Sequence, residues 1–159
     1  MATSSVLLDF HQQKLRNVEI SPAHRARPED TLTDVIRMMC DKRCGCAVVC
    51  DDNGVCGTFS ERIVCNKILP ANVDLNEPVK NHLNPDAPVL KPDDTIGDAV
   101  RHMHATGIRH LPVWNDDERR LVGVLSVRDV IHLVAQYYPE EIYNLPPRIR
   151  QQMDSPEGA

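Results

Sequence analysis

Two short stretches carry side chains able to do chemistry. The first is SVRD, residues 126–129. Ser126 offers a hydroxyl donor. Arg128 offers a charge-assisted partner for phosphate. Asp129, three residues after the serine, offers a carboxylate that can accept both hydroxyls of a ribose. The same Ser-x-x-Asp spacing is also that of a capping box, in which serine and acid satisfy the first amides of a helix. The two roles are compatible. The second stretch is CDKRCGCAVVC, residues 40–50, with Cys40, Cys44, Cys46 and Cys50. Thiolates can cage a metal or form a redox pair, and a free thiol also serves as a small buried hydrophobe. His102, His104 and His110 form a third cluster. His102 and His104 point about 200° apart on a helix and cannot share one ion from it.

Composition narrows these options. The 159 residues are 42% apolar, 26% charged and only 4% aromatic. The core must therefore be aliphatic, with Met and Cys. No apolar run approaches the length of a membrane span. The net charge of −5, with no basic block, argues against a nucleic-acid partner. The N-terminus MATSSVLLDFHQQK has no basic region ahead of its apolar patch, so no secretory signal is expected. Six cysteines then read as reduced thiols of a cytoplasm. There is no phosphate loop, dinucleotide fingerprint, HExxH or GxSxG, and no enzyme activity is expected.

An internal repeat positions the reactive residues. PEDTLTDVIRMM (28–39) recurs as PDDTIGDAVRHM (92–103), at an offset of 64. GTFSERIV (57–64) recurs as GVLSVRDV (123–130), at an offset of 66. In each copy Thr31 or Asp30, and Thr95 or Asp94, is a helix N-cap candidate. Leu32, Val35, Ile36 and Met39 then share one helix face, as do Ile96, Ala99, Val100 and Met103. Gly107 suits the left-handed stop of the second of these helices. Hairpins follow, CAVVC with VCGTFS and HLPVW with LVGVLS. A last helix starts at Ser60 or Ser126. In the second copy it carries a stripe of Val127, Val130, Ile131 and Val134, and in the first it stops at Pro70. Each copy reads strand–helix–strand–strand–helix. The divisions are an extension (1–14), a first repeat (15–69), a linker (70–78), a second repeat (79–138) and a Pro-rich tail (139–159). Within that tail, Ile142, Tyr143 and Leu145, with Tyr137 and Tyr138 just before it, are apolar enough to pack, and the last ten or so residues are expected to be disordered.

GIRHLPVWNDDERRLVGVLSVRDVI (107–131) resembles the signature half of a CBS domain, and the first copy resembles it more loosely through AVV and GTFSER. The resemblance covers about residues 15–138. It implies an α+β/α/β fold, two repeats packed about a pseudo-two-fold. Such pairs commonly form homodimers, bind adenine nucleotides between repeats and regulate a partner protein. The expected ligand is AMP, ADP or ATP, with S-adenosylmethionine or NAD(H) second, and no cofactor is required. The resemblance places adenine and ribose on Ser126, Arg128 and Asp129 and on the strand Ile108, Arg109, His110, Leu111 and Pro112. Ile108, Leu111 and Pro112 would form an apolar purine slot, and Pro112, lacking an N–H, would interrupt strand pairing there. Arg25 and Arg27 are candidates for a polyphosphate.

The first copy departs from this pattern. Ser60 and Arg62 are kept, but Ile63 stands where Asp129 stands. An isoleucine cannot accept ribose hydroxyls, so a second site at Ser60, Arg62, Ile63 and Cys46 is expected to be weak or silent. The cysteines align with Ile108, Trp114, Val122 and Ile131 (Cys44, Cys50, Cys56, Cys65) and with His104 and His110 (Cys40, Cys46). Core packing is thus the reading for four of the six, and no metal site is expected. The rival functions are a ligand-free dimerisation module and a thiol- or metal-responsive protein.

Overall fold

A computed structural model describes residues 10–137. Tyr138 and the tail residues Ile142, Tyr143 and Leu145 lie outside them. Two half-domains share one plan. The first contains β1 (Arg25–Ala26), α1 (Leu32–Lys42), β2 (Cys46–Cys50), β3 (Val55–Ser60) and a helical turn α2 (Glu61–Ile63) continued by a π-helix (Val64–Ile68). The second contains α3 (Ile96–Thr106), β4 (His110–Asn115), β5 (Arg120–Ser126) and α4 (Val127–Tyr137). No described helix is long and apolar enough to cross a membrane.

The local chemistry follows the sequence closely. Thr31 and Thr95 cap α1 and α3 by accepting the Asp34 and Asp98 amides, each at 3.1 Å. Asp98 completes a full capping box by accepting the Thr95 amide at 2.9 Å. Leu32, Val35 and Met39 bury the inner face of α1, and Ile96, Ala99 and Met103 that of α3. Each of these apart from Ala99 contributes about 1.5–3 kcal/mol when fully buried. Gly107 ends α3 at φ 67°. Its counterpart at the end of α1 is Arg43, at φ 50°. A non-glycine residue there costs about 1–2 kcal/mol.

One strand is shorter than expected. In the first half β1 lies parallel to β2, with the Val48 amide donating to the His24 carbonyl at 2.9 Å. Pro112 stands where Val48 stands and has no amide to give. The leading strand of the second half therefore contracts to one bridge, Leu90 with Val113. Pro112 nonetheless keeps its place in the β4–β5 ladder opposite Val124. In α4 the buried residue is Leu133, whereas Ile131, expected on the packed stripe, is 59% exposed.

The two halves exchange their leading segments. The 3-10 turn Leu15–Asn17 docks on the second half, with the Leu15 amide on the Asp94 carbonyl and Leu15 itself in that half's core. The 3-10 turn Val79–Asn81 docks on the first half, with the Val79 amide on the Asp30 carbonyl. Further along, the Val124 amide of β5 donates to the Ser21 carbonyl at 3.0 Å. In the corresponding contact of the other half Thr58 of β3 and Asn84 exchange both backbone bonds, at 3.0 and 2.7 Å.

Glycines permit this approach. A Cβ on Gly57 would lie 2.4 Å from the Asn84 carbonyl oxygen, and one on Gly123 would lie 2.8 Å from that of Ser21. At Gly45 a Cβ would meet nothing nearer than 3.4 Å. Gly57→Ala is therefore expected to destabilise the protein by about 1–3 kcal/mol, through forced backbone displacement. Gly45→Ala should cost much less. Urea unfolding of the two variants checks this, and equal midpoints would refute the close-approach account.

Candidate functional site

The exchanged segments create two related clefts, each with a cavity of about 540 Å³. The Ser126 cleft is bounded by Ser21, Pro22 and His24 of the leading segment, by the end of α1, and by the β5–α4 junction. The Ser60 cleft is bounded by Asn84, the end of α3 and the β3–α2 junction. Gly45, Cys46, Arg109 and His110 line both, so they form a shared wall.

Asp129, expected to hold the ribose, does not line the Ser126 cleft but a neighbouring cavity of about 450 Å³ that shares Ser21 and Pro22 with it, and its carboxylate is already engaged. Its Oδ2 accepts from the Ser126 amide and hydroxyl, each at 2.7 Å. The Ser126 hydroxyl in turn accepts the Asp129 amide at 3.1 Å. This is the capping-box geometry read from the sequence. Asp129 Oδ1 accepts from the Ser21 hydroxyl at 2.7 Å. A carboxylate offers about four acceptor positions. Three are filled, so a diol finds one vacant unless a serine hydroxyl turns away. The first-turn amides of α4 are also fewer than the sequence implies. The Val127 amide is taken by the Arg109 carbonyl at 3.0 Å and that of Asp129 by Ser126. The Arg128 amide has no partner among the described residues. An anion here has the Arg128 amide as its one free first-turn donor, beside the side-chain cations Lys42, Arg43, Arg109 and Arg128.

The structure redraws the rest of the candidate set. Leu111 is fully buried in the second core and Pro112 is buried in the sheet. Neither lines a cleft: Leu111 faces the second core with Leu125, and Pro112, on the opposite face of the strand, is covered beside Val124, which packs with Val48 and Cys50 of the first half. Ile108 lines the Ser60 cleft instead. The purine slot expected from Ile108, Leu111 and Pro112 is therefore not formed. Arg109, His110, Ser126 and Arg128 do line the Ser126 cleft. Arg25 donates to the Asp51 carbonyl at 3.2 Å, and neither Arg25 nor Arg27 lines either cleft. Lys42, Arg43, Ser21 and His24 line the Ser126 cleft and were not among the sequence candidates. The repeat offset was the available signal, since Ser21-Pro22 matches Asn84-Pro85 and Arg43 matches Gly107.

The Ser60 cleft has a different chemistry. Ser60 makes no cap bond, and Ile63 is buried in the first core. Glu61 adds a carboxylate to the wall, alongside Arg62, Lys67 and Arg109. Arg62 donates to the Gly107 carbonyl at 3.3 Å, bridging the halves.

Of the cysteines, Cys46 and Cys50 are buried, and Cys44 and Cys56 pack partly against the first core. Cys65, expected in the core, is exposed, as is its counterpart Ile131. Burial pushes the Cys46 thiol up to about 12 and that of Cys50 to about 11. Both are neutral thiols at neutral pH and therefore weak nucleophiles. Among the described residues no three His, Cys, Asp or Glu side chains converge as a metal site.

The chain matches the CBS domain model over residues 15–69 and again over 79–136, and it belongs to that family. An uncharacterized 17.7 kDa protein of Acidianus ambivalens is 27% identical over 118 residues, covering 74% of this chain and 70% of that protein. Against two further archaeal relatives the chain spans only 34% and 42% of their lengths. Among solved structures it is similar to the CBS domain protein PAE2072 of Pyrobaculum aerophilum, complexed with AMP. The TM-score is 0.67 at 23% identity, over 77% of this chain and 99% of that one. It is also similar to the CBS domain pair of protein MJ0100, in complex with 5′-methylthioadenosine and S-adenosyl-L-methionine. There the TM-score is 0.68 at 16% identity, over 78% and 97%. At these identities the likeness establishes the fold.

His110 on the shared wall is a titrating group. Burial pulls its pKa below 6.5, Glu61 and Asp129 pull it back up, and Arg109 pushes it down. The unfolded chain protonates this histidine near 6.5 and the folded chain only at lower pH. The neutral imidazole thus contributes stability that is present above 6.5 and is lost as pH falls through that value toward the folded pKa. His110→Gln should flatten the pH dependence of unfolding below about pH 6.5. Parallel denaturation series on the two proteins test this, and identical slopes would exclude His110 as the source.

Proposed function

We propose that the protein is a regulatory module that binds an adenine nucleotide in the Ser126 cleft and conveys its occupancy to a partner protein. The observation that carries this reading is the position of Asp129. Its carboxylate is held by Ser21 from one half and Ser126 from the other, beside a cleft built by both. A ribose hydroxyl reaching Asp129 Oδ1 competes with Ser21. Ser21 in turn is tied through its carbonyl to β5. Ligand therefore acts on the join between the halves, and its differential affinity for the joined and loosened arrangements sets the size of the shift. Adenosine-bearing ligands in the similar structures PAE2072 and MJ0100 support the ligand class.

Calorimetric titration of nucleotide-free protein with AMP and ATP tests the proposal. Binding of one nucleotide per chain is expected, with Asp129→Ala removing most of it and Ile63→Ala changing it little. Absence of heat and of any thermal shift at millimolar nucleotide would sink the idea.

The same reading includes a homodimer. Val100, Ile108, Val127, Val130 and the exposed Ile131 line an apolar groove between α3 and α4. A second copy would remove this surface from water. Light scattering is expected to give a dimer mass for the wild type and a monomer mass for Ile131→Asp. A monomeric wild type would overturn this part.

A further inference from the structure

The repeat relates the two clefts position by position, and the Ser60 cleft differs in more than the acid lost at Ile63. Thr58 stands where the Ser126 cleft has Val124, and Glu61 stands where it has Val127. Thr58 is the one polar or charged residue buried among those described, at 4% exposure. Cys46, Thr58 and Ser60 share one face of the β2–β3 pair and line the cleft, while Ala47 and Phe59 face the first core. The Thr58 amide and carbonyl both pair with Asn84, yet its hydroxyl has no hydrogen-bond partner among the described residues. An unmet buried hydroxyl is costly, and a valine, as in the other repeat, would avoid it. A hydroxyl kept here points to a bound group that meets it.

The charges around Thr58 indicate the kind of group. Among the described residues Glu61 is the only carboxylate lining either cleft. A Cβ on Gly45 would lie 3.4 Å from Glu61 Oε2 and 3.4 Å from Cε1 of His110, so carboxylate and imidazole face one point, which glycine leaves open. Burial keeps that imidazole neutral at pH 7, and a neutral imidazole can accept a hydrogen bond. Glu61 and His110 together suit a small cation. Further along, the π-helix Val64–Ile68 widens the turn. Ile68, rather than Lys67, then takes the core place that Leu133 holds in the other half, and Lys67 is left on the cleft. A π-turn of this kind often marks a functional site. The cleft thus holds an anionic point, a cationic side chain and an unmet hydroxyl, with Ile63 and Ile108 as apolar wall.

We propose that the Ser60 cleft binds a small zwitterion, an α-amino acid with an apolar side chain, its ammonium on Glu61 and His110 and its carboxylate on Lys67 and the Thr58 hydroxyl. Ile63 and Ile108 cover the side chain. The loss of the ribose-binding acid at Ile63 is then a change of ligand and not a loss of function. The site stands independently of nucleotide binding in the Ser126 cleft, with which it shares one wall.

The test is calorimetric titration of the full chain with L-leucine, L-methionine and L-valine, and with two leucine analogues that each lack one charge, 4-methylpentanoate and 3-methylbutylamine. At least one of the amino acids should bind, and for leucine each analogue should bind about tenfold or more weaker, the least that one charge-assisted bond supplies. Thr58→Val should weaken amino-acid binding by about tenfold. Its urea midpoint should equal or exceed that of the wild type, because valine removes the unmet hydroxyl, and this separates lost binding from lost folding. Glu61→Gln should weaken leucine by a similar factor and leave 4-methylpentanoate, which has no ammonium, unchanged. Absence of heat and of any thermal shift with all three amino acids at millimolar concentration would overturn the proposal. So would an analogue that binds as tightly as leucine, or full affinity in Thr58→Val. Each of these outcomes leaves the nucleotide reading of the Ser126 cleft standing, and AMP titration of the same samples reads that one separately.

Discussion

Each half of the molecule is completed by the opening segment of the other. Leu15 sits in the second core and Val79 in the first, while Ser21 and Asn84 pair with the closing strands β5 and β3. The exchange explains why two modest cores make one body. It also explains why Gly57 and Gly123 stand at equivalent places, because each receives a backbone carbonyl that any Cβ would strike. The clefts exist because these segments cross between halves. Their shared wall, from Gly45 to Cys46 and from Arg109 to His110, lies where the halves meet.

A symmetric frame does not require symmetric chemistry. The repeat duplicates the backbone, and the side chains then diverge where they face the clefts. Asp129 is answered by Ile63, His110 by Cys46, and Lys42 and Arg43 by Thr106 and Gly107. Isoleucine strengthens the first core at the expense of a polar partner, and cysteine at the axis is held neutral by burial. Glu61 lines the other cleft, and Asp129 lies behind Ser21 and Ser126 outside the lining of the Ser126 cleft. A protein of net charge −5 thus presents a cleft whose charged lining is entirely cationic.

Much of the fold was legible in the residues. The threonine caps, the glycine stop at Gly107 and the bounds of the first hairpin follow from local preferences that each element satisfies within itself. The capping geometry of Ser126 and Asp129 follows in the same way. What was misread involved facing. Leu111 follows His110 in sequence, yet a strand turns adjacent residues to opposite sides, and Leu111 packs on Leu90 and Leu125, while Pro112 shares the His110 face but is covered beside Val124 where the halves meet. Ile131 and Cys65 fit an apolar stripe, yet both face outward, because the cores close on Leu133 and Ile68 instead.

Periodicity, repeat and capping are properties of neighbouring residues, and they settled the elements, their order and the family the chain resembles. The site is a property of residues about 100 positions apart, such as Ser21 and Asp129, or Arg43 and Arg128. No local pattern carries that pairing. It arises when leading segments cross to the opposite half, and that crossing is stabilised only by the burial and backbone bonds of the assembled whole.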